Sequence, residues 1–247
     1  MKSLGIIPAR FASTRFLGKP LVMINGMTMI ERVYKQACKS SSLQKVIVAT
    51  DDENIYKAVK GFNGNVVMTS PDHPSGTDRC AEVMQQEIEQ FDVIVNIQGD
   101  EPFIDPKQID LLIANFNDTT VQIATLIKKI STTAELSNPN TPKVILDDQN
   151  NAIYFSRQAI PFLKGVPYEQ WYEKGIYYKH IGIYAYRSET LAKLVKLPIG
   201  KLEKSESLEQ LRWLENGFAI RTAVTDIETA AIDTPEDLAR ILAGTVR

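Results

Sequence analysis

Cysteine and histidine are scarce in this chain, and their scarcity argues against several kinds of site. Its 247 residues include two cysteines and two histidines, His73 and His180. Neither the paired-cysteine spacing of a zinc site nor an HExxH helix is present, so a histidine-built metal centre is not expected. Cys38 and Cys80 each fall beside apolar residues of a predicted helix. That placement favours buried free thiols in a reducing compartment over a disulfide.

A large net charge of either sign and a long apolar run are also missing. The 28 basic and 30 acidic side chains nearly balance, which argues against a nucleic-acid or anionic-membrane partner. No apolar stretch reaches the length that crosses a bilayer. Residues 3–9 are short for a secretory signal, contain Pro8 and run into Arg10. We therefore expect a cytoplasmic protein with neither a nucleic-acid nor a membrane partner.

Apolar strand patterns and amphipathic helix patterns alternate through the first half of the chain. The strands are predicted at 4–7, 46–49, 66–68 and 93–97. Continuously apolar strands that alternate with helices are typical of a parallel sheet covered on both faces. The sequence therefore predicts a doubly wound α/β core, with ligands at the carboxyl ends of the strands.

From about Lys143 the pattern changes to short strand candidates separated by turns. This change predicts a small antiparallel lobe at about 143–190, attached to the core within a single domain of residues 1–247. Aromatic residues between Tyr154 and Tyr178 cluster in the lobe, and we favour a subunit interface over a substrate wall for most of them. An amphipathic helix is predicted at 206–215.

Three cations follow the first predicted strand, namely Arg10, Arg15 and Lys19. Three cations on such a loop are one way in which an α/β protein holds a polyphosphate, but from charge alone a solvated basic loop is favoured. The chain has no Walker loop, because Gly18-Lys19-Pro20 lacks both the leading glycine and the hydroxyl residue. The GxGxxG dinucleotide pattern is also absent.

Acidic residues stand at two predicted strand ends. Asp100 and Glu101 follow an apolar strand, where a carboxylate is either a magnesium ligand or a cap of the next helix. Asp233 precedes Thr234 and Pro235, and from these residues alone helix capping is the favoured explanation. The segment from Ser75 to Arg79 opens a helix in the same way, and capping is again favoured over contact with a base or phosphate.

Eight segments together resemble the CMP-Kdo synthetase family, the cytidylyltransferases that activate 3-deoxy-manno-octulosonate (Kdo). Their order and spacing cover essentially the whole chain. One departure is Leu17, where family members commonly carry proline. The segments are Pro8–Leu21, His73–Arg79, Asn96–Pro102, Asn138–Asn140, Tyr154–Arg157, His180–Tyr184, Leu208–Arg212 and Asp233–Asp237.

The resemblance implies a nucleotide-diphospho-sugar-transferase-like fold. It also implies transfer of CMP from CTP to the anomeric hydroxyl of Kdo, which releases pyrophosphate and forms CMP-Kdo for lipopolysaccharide. Asp100 and Asp233 would bind Mg²⁺, against the capping interpretation of Asp233. They would act with Lys19 and Arg15 as the catalytic residues. The residues implied to bind CTP are Ala9, Arg10, Ser13, Arg15, Lys19, Ser75, Gly76 and Arg79.

The resemblance further implies a homodimer and a sugar-acid pocket. The pocket residues would be Gln98, Arg157, His180, Tyr184, Glu209 and Gln210. From the residues alone, His180 also fits a core histidine, and Glu209 and Gln210 fit a solvated helix face. The pocket set discriminates against a sialic acid but not against 8-amino-Kdo. A nucleotide-binding module without turnover and a purely structural α/β subunit are the alternatives from other classes.

Overall fold

The computed structural model of the protein describes residues 1–12 and 16–244. Its strands are β1 (Ser3–Ala9), β2 (Met23–Ile24), β3 (Met27–Thr28), β4 (Lys45–Thr50), β5 (Val66–Met68), β6 (Val93–Asn96), β7 (Ile123–Lys129), β8 (Lys143–Leu146), β9 (Ala152–Ser156), β10 (Tyr178–Arg187) and β11 (Ile220–Val224). Its α-helices are α1 (Met29–Ala37), α2 (Glu53–Gly61), α3 (Gly76–Gln86), α4 (Pro106–Ala114), α5 (Thr133–Ser137), α6 (Trp171–Lys174), α7 (Ser188–Leu194), α8 (Lys201–Glu206), α9 (Gln210–Glu215) and α10 (Pro235–Leu242).

The chain divides into two compact units. Unit 1 consists of Met1–Ile113, Ala185–Val195 and Thr229–Arg247, and unit 2 of Ala114–Tyr184 and Lys196–Glu228. The lobe predicted at about 143–190 therefore falls in unit 2 as far as Tyr184. None of the helices in the described part of the chain has the length and hydropathy that a membrane crossing requires.

Unit 1 is built on a parallel sheet in which β1 lies between β4 and β6. Ile6 of β1 is in register with Ile47 of β4 on one side and with Asn96 of β6 on the other. Strand β5 extends the sheet as the parallel neighbour of β4. Leu4, Ile6 and Ile7 are fully buried, as a sheet covered on both faces requires. The predicted mostly parallel α/β fold is confirmed.

Side-chain caps begin the first two α-helices of unit 1. The Thr28 hydroxyl accepts from the Glu31 N–H at the start of α1, and the Asp52 carboxylate accepts from Ile55 at the start of α2. Cys38 follows α1 and is exposed, so the prediction of burial was wrong there. Cys80 in α3 is buried, and neither cysteine forms a disulfide. The physical reason is that Cys38 lies one residue beyond the buried face of α1.

Unit 2 combines a parallel pair with an antiparallel set of strands. β7 and β11 are parallel, whereas β8 is antiparallel to both β9 and β10. Trp171 and Tyr177 are buried here beside Ile130 and Leu136, with their two rings stacked at a centroid distance of 6.2 Å. These two aromatic residues thus belong to the core of unit 2 rather than to an exposed surface.

The helix predicted at 206–215 is interrupted. Helix α8 ends at Glu206, Ser207 adopts a left-handed conformation with φ of 51°, and α9 begins only at Gln210. The Arg157 guanidinium donates to the carbonyls of Glu206 and Ser207. These carbonyls therefore find their hydrogen bonds outside the segment rather than in a continuing helix. Hydrophobic periodicity does not reveal such a break, because the break does not change the spacing of the apolar residues along the two helices.

Candidate active site

A cavity of about 240 Å³ lies beyond the carboxyl ends of β1 and β6 in unit 1. Parallel α/β sheets bind their ligands in this position. Ser13 and Arg15, two of the residues implied to bind CTP, lie outside the described residues. The other six line the cavity together with Gln98, Asp100 and Asp233: Ala9, Arg10, Lys19, Ser75, Gly76 and Arg79.

Lys19 joins the two aspartates that are distant in sequence. Its Nζ donates to Asp100 Oδ2 at 2.8 Å and to Asp233 Oδ1 at 3.2 Å. The Lys19 side chain is 15% exposed, and those of Asp100 and Asp233 are 26% and 42% exposed. Two carboxylates therefore meet at one cationic group on the wall of the cavity.

Backbone contacts explain why Asp233 reaches this position. The Ile232 N–H donates to the Asp100 carbonyl at 2.9 Å, which joins the two segments. Asp237 accepts from the N–H groups of Asp233 and Thr234 at 3.0 and 2.9 Å, and the Thr234 hydroxyl accepts from Asp237 at 3.2 Å. Capping of α10 is thus performed by Thr234 and Asp237, whereas the Asp233 carboxylate contacts Lys19.

Gly99 lets the two strand ends approach each other. A Cβ at this position would lie 2.8 Å from the backbone oxygen of Pro8, closer than real Cβ atoms come. Any larger residue would push the loop after β6 away from β1. Gly99 therefore holds its neighbours Gln98 and Asp100 beside the end of β1.

Glu101 was noted in the sequence as part of an acidic pair but received no role. Its Oε2 accepts from Thr229 Oγ1 at 3.0 Å. Burial, and next the charge of Asp100, raise the pKa of Glu101 to about 7. A carboxyl group that is only partly ionised near neutral pH carries less negative charge beside Asp100 than an ordinary glutamate would. The sequence shows that the two acids are adjacent, but not that one of them is buried.

The wall of the cavity around α3 is held by side-chain contacts. Arg79 is 4% exposed and bonds to Thr69 Oγ1, with Asp51 Oδ2 at 3.7 Å. The Ser75 hydroxyl caps α3 by accepting from the Asp78 N–H at 3.3 Å. Capping and a position on the cavity wall are thus compatible for Ser75.

His73 is a further residue on the cavity wall to which the sequence gave no role. Its Nε2 contacts the Glu82 carboxylate, which also accepts from the Ser70 N–H at 2.9 Å. The available signal was its place in the segment that runs to Arg79.

In unit 2, His180 is a neutral imidazole. Burial lowers its pKa to about 3. Its Nε2 lies 2.9 Å from Thr125 Oγ1, and that hydroxyl lies 2.8 Å from the Ile183 carbonyl. The Ile181 carbonyl also lies 3.3 Å from that hydroxyl. Carbonyls only accept, so we assign the single Thr125 proton to them and Nε2–H as the donor to Thr125. Nδ1 of His180 is then the ring's hydrogen-bond acceptor.

Tyr184 and Gln210 are two buried polar residues of unit 2. Tyr184 lies beside His180, and Gln210 is the first residue of α9. The Tyr184 ring lies 5.2 Å from the His180 ring and packs edge-on against Trp213 at 5.0 Å. Burial, and next the charge of Glu209, raise the pKa of Tyr184. Gln210 is 4% exposed, and among the described residues its Nε2 has no hydrogen-bond partner. A buried amide nitrogen in this state is costly unless a ligand supplies an acceptor.

Arg157 contacts backbone groups within unit 2. Its Nε, Nη1 and Nη2 donate to the carbonyls of Glu206, Pro139 and Ser207 at 2.7, 2.9 and 3.2 Å. Its implied contact with a sugar stays a prediction. Of the implied sugar-binding residues, Gln98 belongs to unit 1, and the other five belong to unit 2.

The donor set fits a magnesium ion better than a transition metal. Among the described residues no group of three or more His, Cys, Asp or Glu side chains could hold a metal. Magnesium binds through one or two carboxylates and completes its shell with water and substrate phosphates. Asp100 and Asp233, which already share the Lys19 cation, match that requirement.

Known proteins resemble this chain over nearly its full length. A sequence model of the cytidylyltransferase family matches residues 4–227. A 3-deoxy-manno-octulosonate cytidylyltransferase of Parabacteroides distasonis is 54% identical, covering 98% of both chains. The 3-deoxy-manno-octulosonate cytidylyltransferase of Bacteroides thetaiotaomicron is 56% identical, covering 96% of both chains. The solved structure of a CMP:2-keto-3-deoxy-manno-octonic acid synthetase complexed with CTP superposes with a TM-score of 0.92 at 41% identity, covering 99% of this chain and 98% of that one.

Proposed function

Because this chain belongs to the cytidylyltransferase family, we propose that it transfers CMP from CTP to the anomeric hydroxyl of Kdo. The products are CMP-Kdo, for lipopolysaccharide assembly, and pyrophosphate. One observation within the chain carries the proposal: the Asp100 and Asp233 carboxylates and the Lys19 ammonium meet on the wall of one cavity at the strand ends. Phosphoryl-type transfer requires such positioning and charge neutralisation more than a covalent group from the protein.

CTP binds in the cavity of unit 1 in this proposal. Arg10 and Lys19 neutralise the triphosphate, while Ser75, Gly76 and Arg79 face the ribose and the base. The backbone N–H groups at the start of α3 add donors for an anion. Arg15 and Ser13 complete the set by family resemblance.

Asp100 and Asp233 hold Mg²⁺ in this proposal. An ion held there would neutralise phosphate charge and would lower the pKa of the attacking hydroxyl. The anomeric oxygen of the sugar forms a bond to the α-phosphorus, and the bond from that phosphorus to the bridging oxygen of pyrophosphate breaks. The hydroxyl proton leaves to water. Lys19 and Arg10 stabilise the negative charge on the departing pyrophosphate.

In this proposal, buried polar groups of unit 2 bind the sugar acid. His180 Nδ1 accepts a sugar hydroxyl, and Gln210 Nε2 donates to an oxygen of the substrate. Tyr184 and Glu209 supply further polar contacts near these groups, and Gln98 is included by family resemblance. Because the pKa of His180 is about 3, its acceptor remains available at every pH at which the enzyme is expected to work.

We also propose a homodimer in the cytoplasm, the compartment that supplies CTP. Phe162 and Ile176 of unit 2 are 75% and 68% exposed. Phe162 packs edge-on against the buried Trp171 at 5.0 Å, so the apolar surface continues a core cluster. Light scattering of the wild type and of Phe162→Ser tests the dimer. A monomeric wild type would contradict it.

Pyrophosphate release from CTP tests the function directly. Kdo, 8-amino-Kdo and a sialic acid are offered in parallel, with Mg²⁺ and with EDTA. We expect release with Kdo and its loss in EDTA. A preference for another acid would move the substrate assignment, and no metal-dependent release with any of the three would contradict the proposed reaction.

A further inference from the structure

A buried lysine in unit 2 contacts only backbone in its hydrogen bonds. Lys143 is 0% exposed. Its ammonium donates to the carbonyls of Asn138, Thr141 and Arg157 at 2.9, 2.8 and 2.6 Å. An ammonium has three N–H donors, so these acceptors use all of them. A buried charge held by carbonyls contributes little net stability, because its desolvation is costly. The arrangement instead fits a role in which Lys143 fixes the positions of the three carbonyls.

Arg157 extends this network to the helices of unit 2. Its backbone carbonyl accepts from Lys143, while its guanidinium donates to the carbonyls of Pro139, Glu206 and Ser207. The Glu206 carboxylate completes the link, because Oε1 accepts from the Ser156 hydroxyl at 2.7 Å and Oε2 from the Arg157 N–H at 2.9 Å. We call Lys143, Arg157 and Glu206 the positioning cluster.

The positioning cluster holds the break between α8 and α9. Ser207 has a φ of 51°, which a residue other than glycine adopts only when its surroundings stabilise it. Arg157 supplies that stabilisation through the Ser207 carbonyl. Glu209 and Gln210 follow within three residues, so the direction in which α9 starts, and with it the buried Gln210 amide, depends on this junction.

The same cluster supports the strand that carries His180. Lys143 is in register with Lys179 across the antiparallel pair of β8 and β10. The carbonyl of Pro142, the residue before Lys143, accepts from the His180 N–H at 2.9 Å. Contacts from one buried cation therefore reach both His180 and the start of α9.

We infer that Lys143, Arg157 and Glu206 position His180, Glu209 and Gln210 for the sugar acid. The inference rests on the proposed function. Lys143 and Glu206 are positioning residues, because they act on the backbone that bears the polar groups of the pocket. Arg157 can act in this way without touching the substrate.

The main test is Lys143→Met, which keeps the length of the side chain and removes its charge. We expect the KM for Kdo to rise by about tenfold or more, because polar groups displaced by about 1 Å lose much of their binding. The KM for CTP should stay within about twofold, since the CTP residues lie in unit 1. The matched control is Lys129→Met, which changes an exposed lysine of the same unit and should leave both constants unchanged.

Glu206→Gln provides a second variant if Lys143→Met does not fold. With its oxygen on the Arg157 N–H, the amide presents only its NH₂ to Ser156, so that hydroxyl can no longer donate to this side chain. The charge that strengthens both contacts is also lost, and the variant should therefore raise the KM for Kdo selectively. An unchanged KM for Kdo in a folded variant, with only a lower melting temperature, would mean that the cluster is purely structural and would overturn the inference.

Turnover by the wild type distinguishes a failure of the proposed function from a failure of the role given to the positioning cluster. A wild type that turns over CTP and Kdo, with variants of unchanged KM, overturns the inference alone. A wild type without turnover overturns the proposed function and the inference together.

Discussion

Replacing Asp233 by asparagine separates catalysis from folding at the proposed nucleotide site. The Asp233 carboxylate lies 3.2 Å from Lys19 Nζ and is 42% exposed. An ion pair this exposed is worth about 0–1 kcal/mol, and Lys19 retains its 2.8 Å contact with Asp100. Asp237, not Asp233, holds the start of α10. We therefore expect a melting temperature within about 4 °C of the wild type.

Turnover should respond much more strongly than stability. Two unit charges about 4 Å apart interact by about 4 kcal/mol at an effective dielectric constant of about 20, which approximates the attraction to a bound cation that the variant loses. A loss of this size in the transition state corresponds to about a thousandfold in rate. We expect the kcat of Asp233→Asn to fall by about 10²- to 10³-fold.

The assay is pyrophosphate release across a Mg²⁺ series, with thermal unfolding of the same preparations. The matched control is Glu236→Gln, which removes one negative charge from an exposed side chain of α10. It should keep the wild-type kcat. Wild-type turnover in Asp233→Asn, or an equal loss in Glu236→Gln, would refute the reasoning.

Three further predictions concern stability. His180, whose pKa falls from 6.5 to about 3 on folding, contributes stability that is present above pH 6.5 and is lost as the pH falls towards 3. Urea unfolding at pH 4 should show about 3 kcal/mol less stability than at pH 7 from this group, and His180→Gln should flatten that dependence; an equally steep variant would contradict the assignment. Gly99→Ala should cost about 1–3 kcal/mol, read from denaturant midpoints, since its Cβ would meet the Pro8 oxygen, and an unaltered midpoint would argue against the close approach. Thr234→Ala should cost about 1 kcal/mol through the lost cap of α10, measured by thermal unfolding, and no loss would mean that Asp237 suffices.

Local patterns were reliable wherever neighbours in the chain decide the structure. The capping-box spacing of Thr28 and Glu31 corresponds to an observed cap, because both groups belong to one helical turn. Capping was an incomplete explanation for Asp233, because Asp237 performs that task and the Asp233 carboxylate contacts Lys19. The difference depends on a hydrogen bond from Ile232 to Asp100, which no local pattern encodes.

Features that depend on contacts between distant segments were missed. The break at Ser207 follows from Arg157, about 50 residues earlier in the chain. The exposure of Cys38 and the burial of Trp171 likewise depend on which face of an element finds a partner. Sequence hydropathy gives the number of apolar residues on a face, but not the segment that covers it.

By itself the sequence determined the parallel α/β core, its helix starts and the family, because those depend on periodicity, caps and motif order along the chain. Only the tertiary structure decided that Lys19 lies between Asp100 and Asp233, that Glu101 is buried, and that Lys143 and Arg157 hold the junction before Gln210. The physical reason is range: caps and hydrophobic periodicity depend on residues within a few turns, whereas burial, long-range hydrogen bonds and the meeting of charges are properties of segments brought together by folding.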